Sequence, residues 1–131
     1  MVQPAAAKQA ELNAALARAF AALADPTRCA VVERLRVRPQ RASDLAAALA
    51  IAPAGLSRHL RVLERSGLVA ADAVQHDARV RLYRLEPHAF ATLSDWAAAM
   101  QQEWSDQLRA FKAHAERAAA APAPRRHRSA R

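Results

Sequence analysis

The chain has 131 residues, enough for one small domain with appended ends, and a formal net charge of +8. Its single cysteine leaves no internal disulfide and no site built from several thiolates, and no apolar run approaches the ~18 residues of a membrane span. Lys8 and Glu11 stand where a secretory signal would need an apolar stretch, so the expected compartment is cytoplasmic.

Residues 1–7 read as a loose leader. From Lys8 onward, Leu12, Leu16, Phe20 and Leu23 recur at helical spacing. Asp25-Pro26 ends that helix and starts a second, since Asp25 can cap it and Pro26 suits its first turn. The second helix buries Val31, Val32 and Leu35 and runs to about Val37, where Arg38-Pro39-Gln40 ends it. Ser43 reads as the N-cap of a third helix, with Asp44 near its positive end and Leu45, Ala46 and Leu49 facing inward. Ala50-Ile51-Ala52 makes a turn. Pro53 then opens a fourth helix, 53–66, which buries Leu56, Leu60 and Leu63 and shows Ser57, Arg58, Arg61 and Arg65 on its other side. Gly67 stops it.

Two alternating runs follow, Val69–Val74 and Arg79–Leu85, on either side of Gln75-His76-Asp77-Ala78. Arg79, Arg81 and Arg84 are expected to face outward. Pro87 starts the last helix, whose Phe90, Leu93, Trp96, Ala97, Met100, Trp104, Leu108 and Phe111 form a stripe over about six turns. One small domain cannot cover such a stripe, so it reads as a subunit interface. From Ala118 the chain loses periodicity and reads as a disordered basic tail, residues 118–131.

Composition fits this layout. Hydrophobic residues make up 53%, but alanine supplies much of that, which favours helix and leaves a core thin in large side chains. A thin core and striped terminal helices together predict a dimer that completes its core between subunits. The positive charge is uneven. Residues 54–84 carry six arginines against Glu64, Asp72 and Asp77, and the tail carries Arg125, Arg126, Arg128 and Arg131 with no acid. A polyanion is the natural partner for such a surface.

Helix, turn, helix and then a hairpin with a basic exposed side is an arrangement for holding double-stranded DNA. A helix fits the major groove and its N-terminal half reaches base edges, which selects Ala54, Gly55, Ser57, Arg58 and Arg61. Arg58 can donate two hydrogen bonds to guanine, whereas Ser57 and Arg61 suit phosphates. Ala54 and Gly55 are small enough for close backbone approach. His59 reads equally as a bond inside the motif or as a phosphate contact. His76 and Arg79, at the hairpin tip, suit the minor groove, and Ser43 joins the set at the start of the third helix. Cys29 is expected to be a small buried apolar residue, with a thiol switch as the alternative.

Four stretches resemble one family. Ala22-Leu23-Ala24-Asp25-Pro26-Thr27-Arg28 resembles the ALADPTR signature of the ArsR-type winged helix-turn-helix repressors. Ser57-Arg58-His59-Leu60-Arg61-Val62-Leu63 followed by Gly67-Leu68-Val69 is similar to their recognition-helix pattern, and Arg81-Leu82-Tyr83-Arg84-Leu85 to their closing wing strand. The similarity covers roughly residues 10–112. It implies a mainly α fold with a small β-hairpin, a winged helix-turn-helix over residues 8–117 whose dimer is completed by the N- and C-terminal helices. It also implies a homodimeric repressor reading an inverted repeat through helix 53–66 and wing 69–85. Leu12, Leu16, Phe20, Leu93, Trp96, Met100, Trp104, Leu108 and Phe111 would then form the dimer interface.

The family's metal sensors carry a Cys-x-Cys pair where this chain has Arg41 and Ser43, and others use a His-x-x-Glu spacing that His114 and Glu116 miss by one residue. The resemblance is therefore to a non-metal-sensing subgroup, and neither metal nor other cofactor is expected. No catalytic cluster or Gly-rich phosphate loop is present, so an enzyme is not expected. A non-specific architectural DNA binder and a winged-helix protein-interaction module remain the alternatives.

Overall fold

The computed structural model describes residues 4–122, apart from the side chain of Ala78. The chain divides into two compact units, one ending at Ser94 and one starting at Asp95. In chain order the elements are α1 (Pro4–Leu23), α2 (Pro26–Val37), β1 (Gln40–Arg41), α3 (Ala42–Leu49), α4 (Pro53–Arg65), β2 (Val69–Val74), β3 (Asp77–Leu85) and α5 (Pro87–Ala120). This is the winged helix-turn-helix expected from the sequence.

The first unit is built around Val31, Leu45, Leu56, Leu60, Leu63 and Leu68, the largest wholly buried side chains. The spacing of Leu56, Leu60 and Leu63 puts all three on one face of α4. Each buried leucine contributes roughly 1.5–3 kcal/mol relative to exposure, so burial of that face outweighs the poor helix propensity of Gly55. Pro53 opens α4 at its first position, and Gly67 closes it at φ 81, a conformation that strains any residue with a Cβ. Ser66 Oγ donates to the Leu63 carbonyl at 2.7 Å, which satisfies one of the orphan groups at that end.

Four boundaries differ from the sequence reading. α1 begins at Pro4, so residues 4–7 of the expected leader are helical. Pro-Ala-Ala-Ala supplies a proline suited to the first turn and the best helix formers, with no apolar contrast to betray them. Ser43 is not the N-cap of α3. Arg41 holds that position without a side-chain cap bond, because β1 keeps the chain extended up to it and the helix starts one residue before Ser43. The second hairpin strand starts at Asp77, leaving Gln75-His76 as the turn. α5 continues to Ala120, and the remaining tail from 123 lies outside the described residues.

The sheet is antiparallel, in the order β1-β3-β2. Gln40 pairs with Tyr83, and Val69 to Ala73 pair with Leu85 to Arg81. Between Ala73 and Val74 the register shifts, so that Val74 pairs with Asp77. The intervening residues of β3 are set off the ladder at the wing's end. β1 is fixed by Gln40, a buried polar side chain whose Nε2 donates to the Arg34 carbonyl at 2.7 Å.

Candidate nucleic-acid interface

At ~100° per residue, Ala54, Ser57, Arg58, Arg61 and Arg65 fall on one side of α4, away from the Leu56-Leu60-Leu63 stripe. All five are exposed. Neither Arg58 nor Arg61 has an ion pair among the described residues. Their guanidinium groups are therefore available for guanine edges or phosphates. Gly55 lies on the flank of this face. A Cβ there would meet only Ile51 Cγ2, at 3.7 Å, an ordinary contact. Nothing inside the chain demands glycine at that position.

Ser43 and Arg79, chosen separately from the sequence, come together. With Arg41, Arg81 and Tyr83 they line a hollow of about 270 Å³ between the start of α3 and the wing. Arg41 was visible in the sequence only as a departure from a thiolate motif. Its place beside the helix N-terminus, with Arg79 opposite, makes it a further cation in the hollow. Arg79 is exposed, and its backbone N–H donates to Asp77 Oδ1 at 3.0 Å, which shapes the tip. His76 is exposed in the turn.

The other two wing arginines are engaged within the chain. Arg81 NH2 lies 3.8 Å from Glu64 Oε2, linking wing to α4. Arg84 was expected to face outward but is half-buried. It donates to Asp72 at 2.7 Å and Glu86 at 2.6 Å, and the bond to Asp72 does most to raise its pKa above the ordinary arginine value.

The Nδ1 of His59 faces partners inside the chain. Arg28 NH1 lies 3.3 Å from its Nδ1, and Asp25 Oδ1 is 3.9 Å away. Arg28 also donates to the Ala22 carbonyl at 2.6 Å and the Ala21 carbonyl at 3.4 Å, closing the C-terminal end of α1. Asp25 accepts the Arg28 backbone N–H at 3.1 Å, and this bond is the main reason its carboxyl sits below the usual carboxylate range. The Ala22–Arg28 stretch is thus a junction between helices that also reaches α4.

Cys29 is exposed, correcting the expectation of burial. It falls on the outer side of α2, where its Sγ donates to the Leu23 carbonyl at 2.9 Å. Among the described residues no group of three His, Cys, Asp or Glu side chains is arranged to hold a metal ion, and no helix is long and apolar enough to cross a membrane.

The expected interface residues fall into two sets. Leu16 is 5% exposed and Leu93 packs on the core, so both are largely used within the first unit. Leu12, Phe20, Trp96, Met100, Trp104, Leu108 and Phe111 are exposed, Phe111 to 71%.

A family described as a helix-turn-helix domain matches residues 23–70. The HTH-type transcriptional regulator Rv2034 of Mycobacterium tuberculosis is 40% identical over 76 residues, which are 58% of this chain and 68% of that protein. Among solved structures, the ArsR-like transcriptional regulator from Rhodococcus sp. RHA1 superposes with a TM-score of 0.69 at 32% identity, over 79% of this chain and 94% of that one. The ArsR family transcriptional regulator RHA00566 gives a TM-score of 0.62 at 34% identity, over 71% and 93%.

Proposed function

This chain belongs to the ArsR family of helix-turn-helix transcriptional regulators, and on that premise we propose that it is a homodimeric repressor reading an inverted-repeat operator. At the coarser level it is a DNA-binding regulator of transcription and not an enzyme. The observation that carries the finer reading is α4 itself. One face is locked into the core by three leucines at 0–1% exposure, and the other offers Arg58 and Arg61 with no acidic partner among the described residues. Arg58 reads guanine, while Ser57 and Arg61 hold phosphates. Ala54 and Gly55 allow close approach, Ser43 and Arg41 grip the backbone beside the wing, and His76 and Arg79 enter the minor groove.

A second copy supplies the two-fold symmetry. It covers Leu12 and Phe20 on the first unit and the Trp96-Met100-Trp104-Leu108-Phe111 stripe on the second. Arg41 and Ser43, in place of a thiolate pair, favour the non-metal-sensing subgroup.

Selection of bound duplexes from a random DNA pool tests the reading. A two-fold motif with half-sites ~10 bp apart, or a small multiple of that, is the expected result. No enrichment, with equal affinity for shuffled duplexes, would leave only an architectural binder. Absence of any salt-sensitive DNA affinity would point to a protein-interaction module.

A further inference from the structure

Apolar packing fixes how deeply α4 sits but has no direction. A hydrogen bond has direction and can fix the roll of a helix about its own axis. His59 occupies the place on α4 where such a bond acts, on the flank of the leucine stripe and turned from the Arg58-Arg61-Arg65 face, with its side chain only 26% exposed. Its partner is rigidly held: Arg28 is tied to the Ala21 and Ala22 carbonyls and lies 4.0 Å from Asp25 Oδ2. Arginine only donates, so in this hydrogen bond it is the Nδ1 of His59 that accepts.

We infer that His59 is a positioning residue that makes no contact with DNA, setting the angle at which Arg58 and Arg61 meet the groove through its hydrogen bond with Arg28. This rests on α4 being the base-reading helix. A small roll of α4 displaces the guanidinium of Arg58 from the two acceptors of guanine, which sit in a fixed fork geometry. Phosphate contacts, being long-range and less directional, tolerate the same roll. The anchor therefore serves sequence selection more than general affinity.

The two side-chain amides separate this role from a direct contact. Asparagine places its Oδ1 near the position of Nδ1, and glutamine places its Oε1 near that of Nε2. Operator and shuffled-duplex affinities, with salt dependence and melting midpoint, are measured for the wild type, His59→Asn and His59→Gln. His59→Asn is expected to keep the wild-type ratio of operator to shuffled affinity. His59→Gln is expected to lose about tenfold in that ratio, the scale of one charge-assisted hydrogen bond, with its salt slope unchanged.

The reverse pattern, glutamine rescuing and asparagine failing, would place Nε2 on DNA and overturn the inference. Equal ratios in both variants, whether retained or lost, would overturn it too, as would loss of folding in both. If the wild type itself prefers no sequence, it is the operator reading that has failed, and the outcome is distinct from these.

Discussion

Asp25 Oδ1 accepts the backbone N–H of Arg28 at 3.1 Å, the hydrogen bond that caps α2. The same bond holds the Asp25 carboxyl below its ordinary value of 3.8. A carboxylate with a depressed folded pKa stabilises the fold fully above that ordinary value and loses its contribution as pH falls through the lower folded one. Asp25→Ala should therefore lower the melting midpoint by a few degrees near neutrality. The gap to wild type should narrow as pH falls below that ordinary value and should close once pH has passed the lower folded one, where the wild-type cap is itself protonated. Thermal melts of both proteins at neutral and acid pH check this, and a gap that widens in acid would contradict the assignment.

Ala50 adopts φ 53, ψ 46 at the C-cap of α3, where the Ile51 N–H reaches back to the Ala46 carbonyl at 3.0 Å. This left-handed turn is usually glycine's, and a Cβ there costs roughly 1–2 kcal/mol. Ala50→Gly removes that cost but loosens the unfolded chain. The expected net gain is about 0.5–1 kcal/mol, read as a higher midpoint in urea.

Elements with strong contrast are legible in the sequence. Leu56, Leu60 and Leu63 against Arg58 and Arg61 announce α4 and its two faces, and Asp25-Pro26 announces the start of α2. What was missed has low contrast or depends on distant partners. β1 is two residues long and exists because Tyr83 and Leu82 are there to pair with it. Residues 4–7 are helical without any apolar rhythm. The His59–Arg28 bond joins residues 31 apart in sequence, and only folding reveals which way the imidazole turns. Leu16 continues the α1 stripe in sequence, yet folding buries it within the chain.

Gly55 separates stability from binding. Its Cβ would find room within the chain, with Ile51 Cγ2 at 3.7 Å the only near atom. Gly55→Ala should accordingly stabilise α4, by up to about 1 kcal/mol from helix propensity. Operator affinity should fall, because the added methyl occupies space reserved for the approaching duplex. A variant that melts higher and binds DNA as tightly as the wild type would remove Gly55 from the interface.

Arg58 and Arg61 share a face but should fail differently. Arg58→Ala should flatten preference among sequences, a loss of about 1–3 kcal/mol in discrimination at one base pair. Arg61→Ala should weaken every duplex alike and reduce the salt slope by about one. Titrations of operator and mutated operator at several salt concentrations distinguish the two. Unchanged selectivity in Arg58→Ala would shift base reading to another side chain of α4.

The apolar stripe of α5 gives the last prediction. Trp104 and Phe111 are 63% and 71% exposed within a single chain, so neither contributes much to its core. Replacing either by a charged residue should leave the fold intact, because little buried surface is lost. In a dimer the same change would place an unpaired charge in a desolvated interface, at a cost of several kcal/mol. Trp104→Glu should therefore sediment as a monomer at concentrations where the wild type is dimeric, with an undiminished helical signal. Its affinity for an isolated half-site should persist while affinity for the full inverted repeat collapses, since two readers bind a full site together only when they are joined. Sedimentation and full-site binding should fail in step. A monomeric variant that still gripped the whole repeat would show that the subunits are joined through another surface.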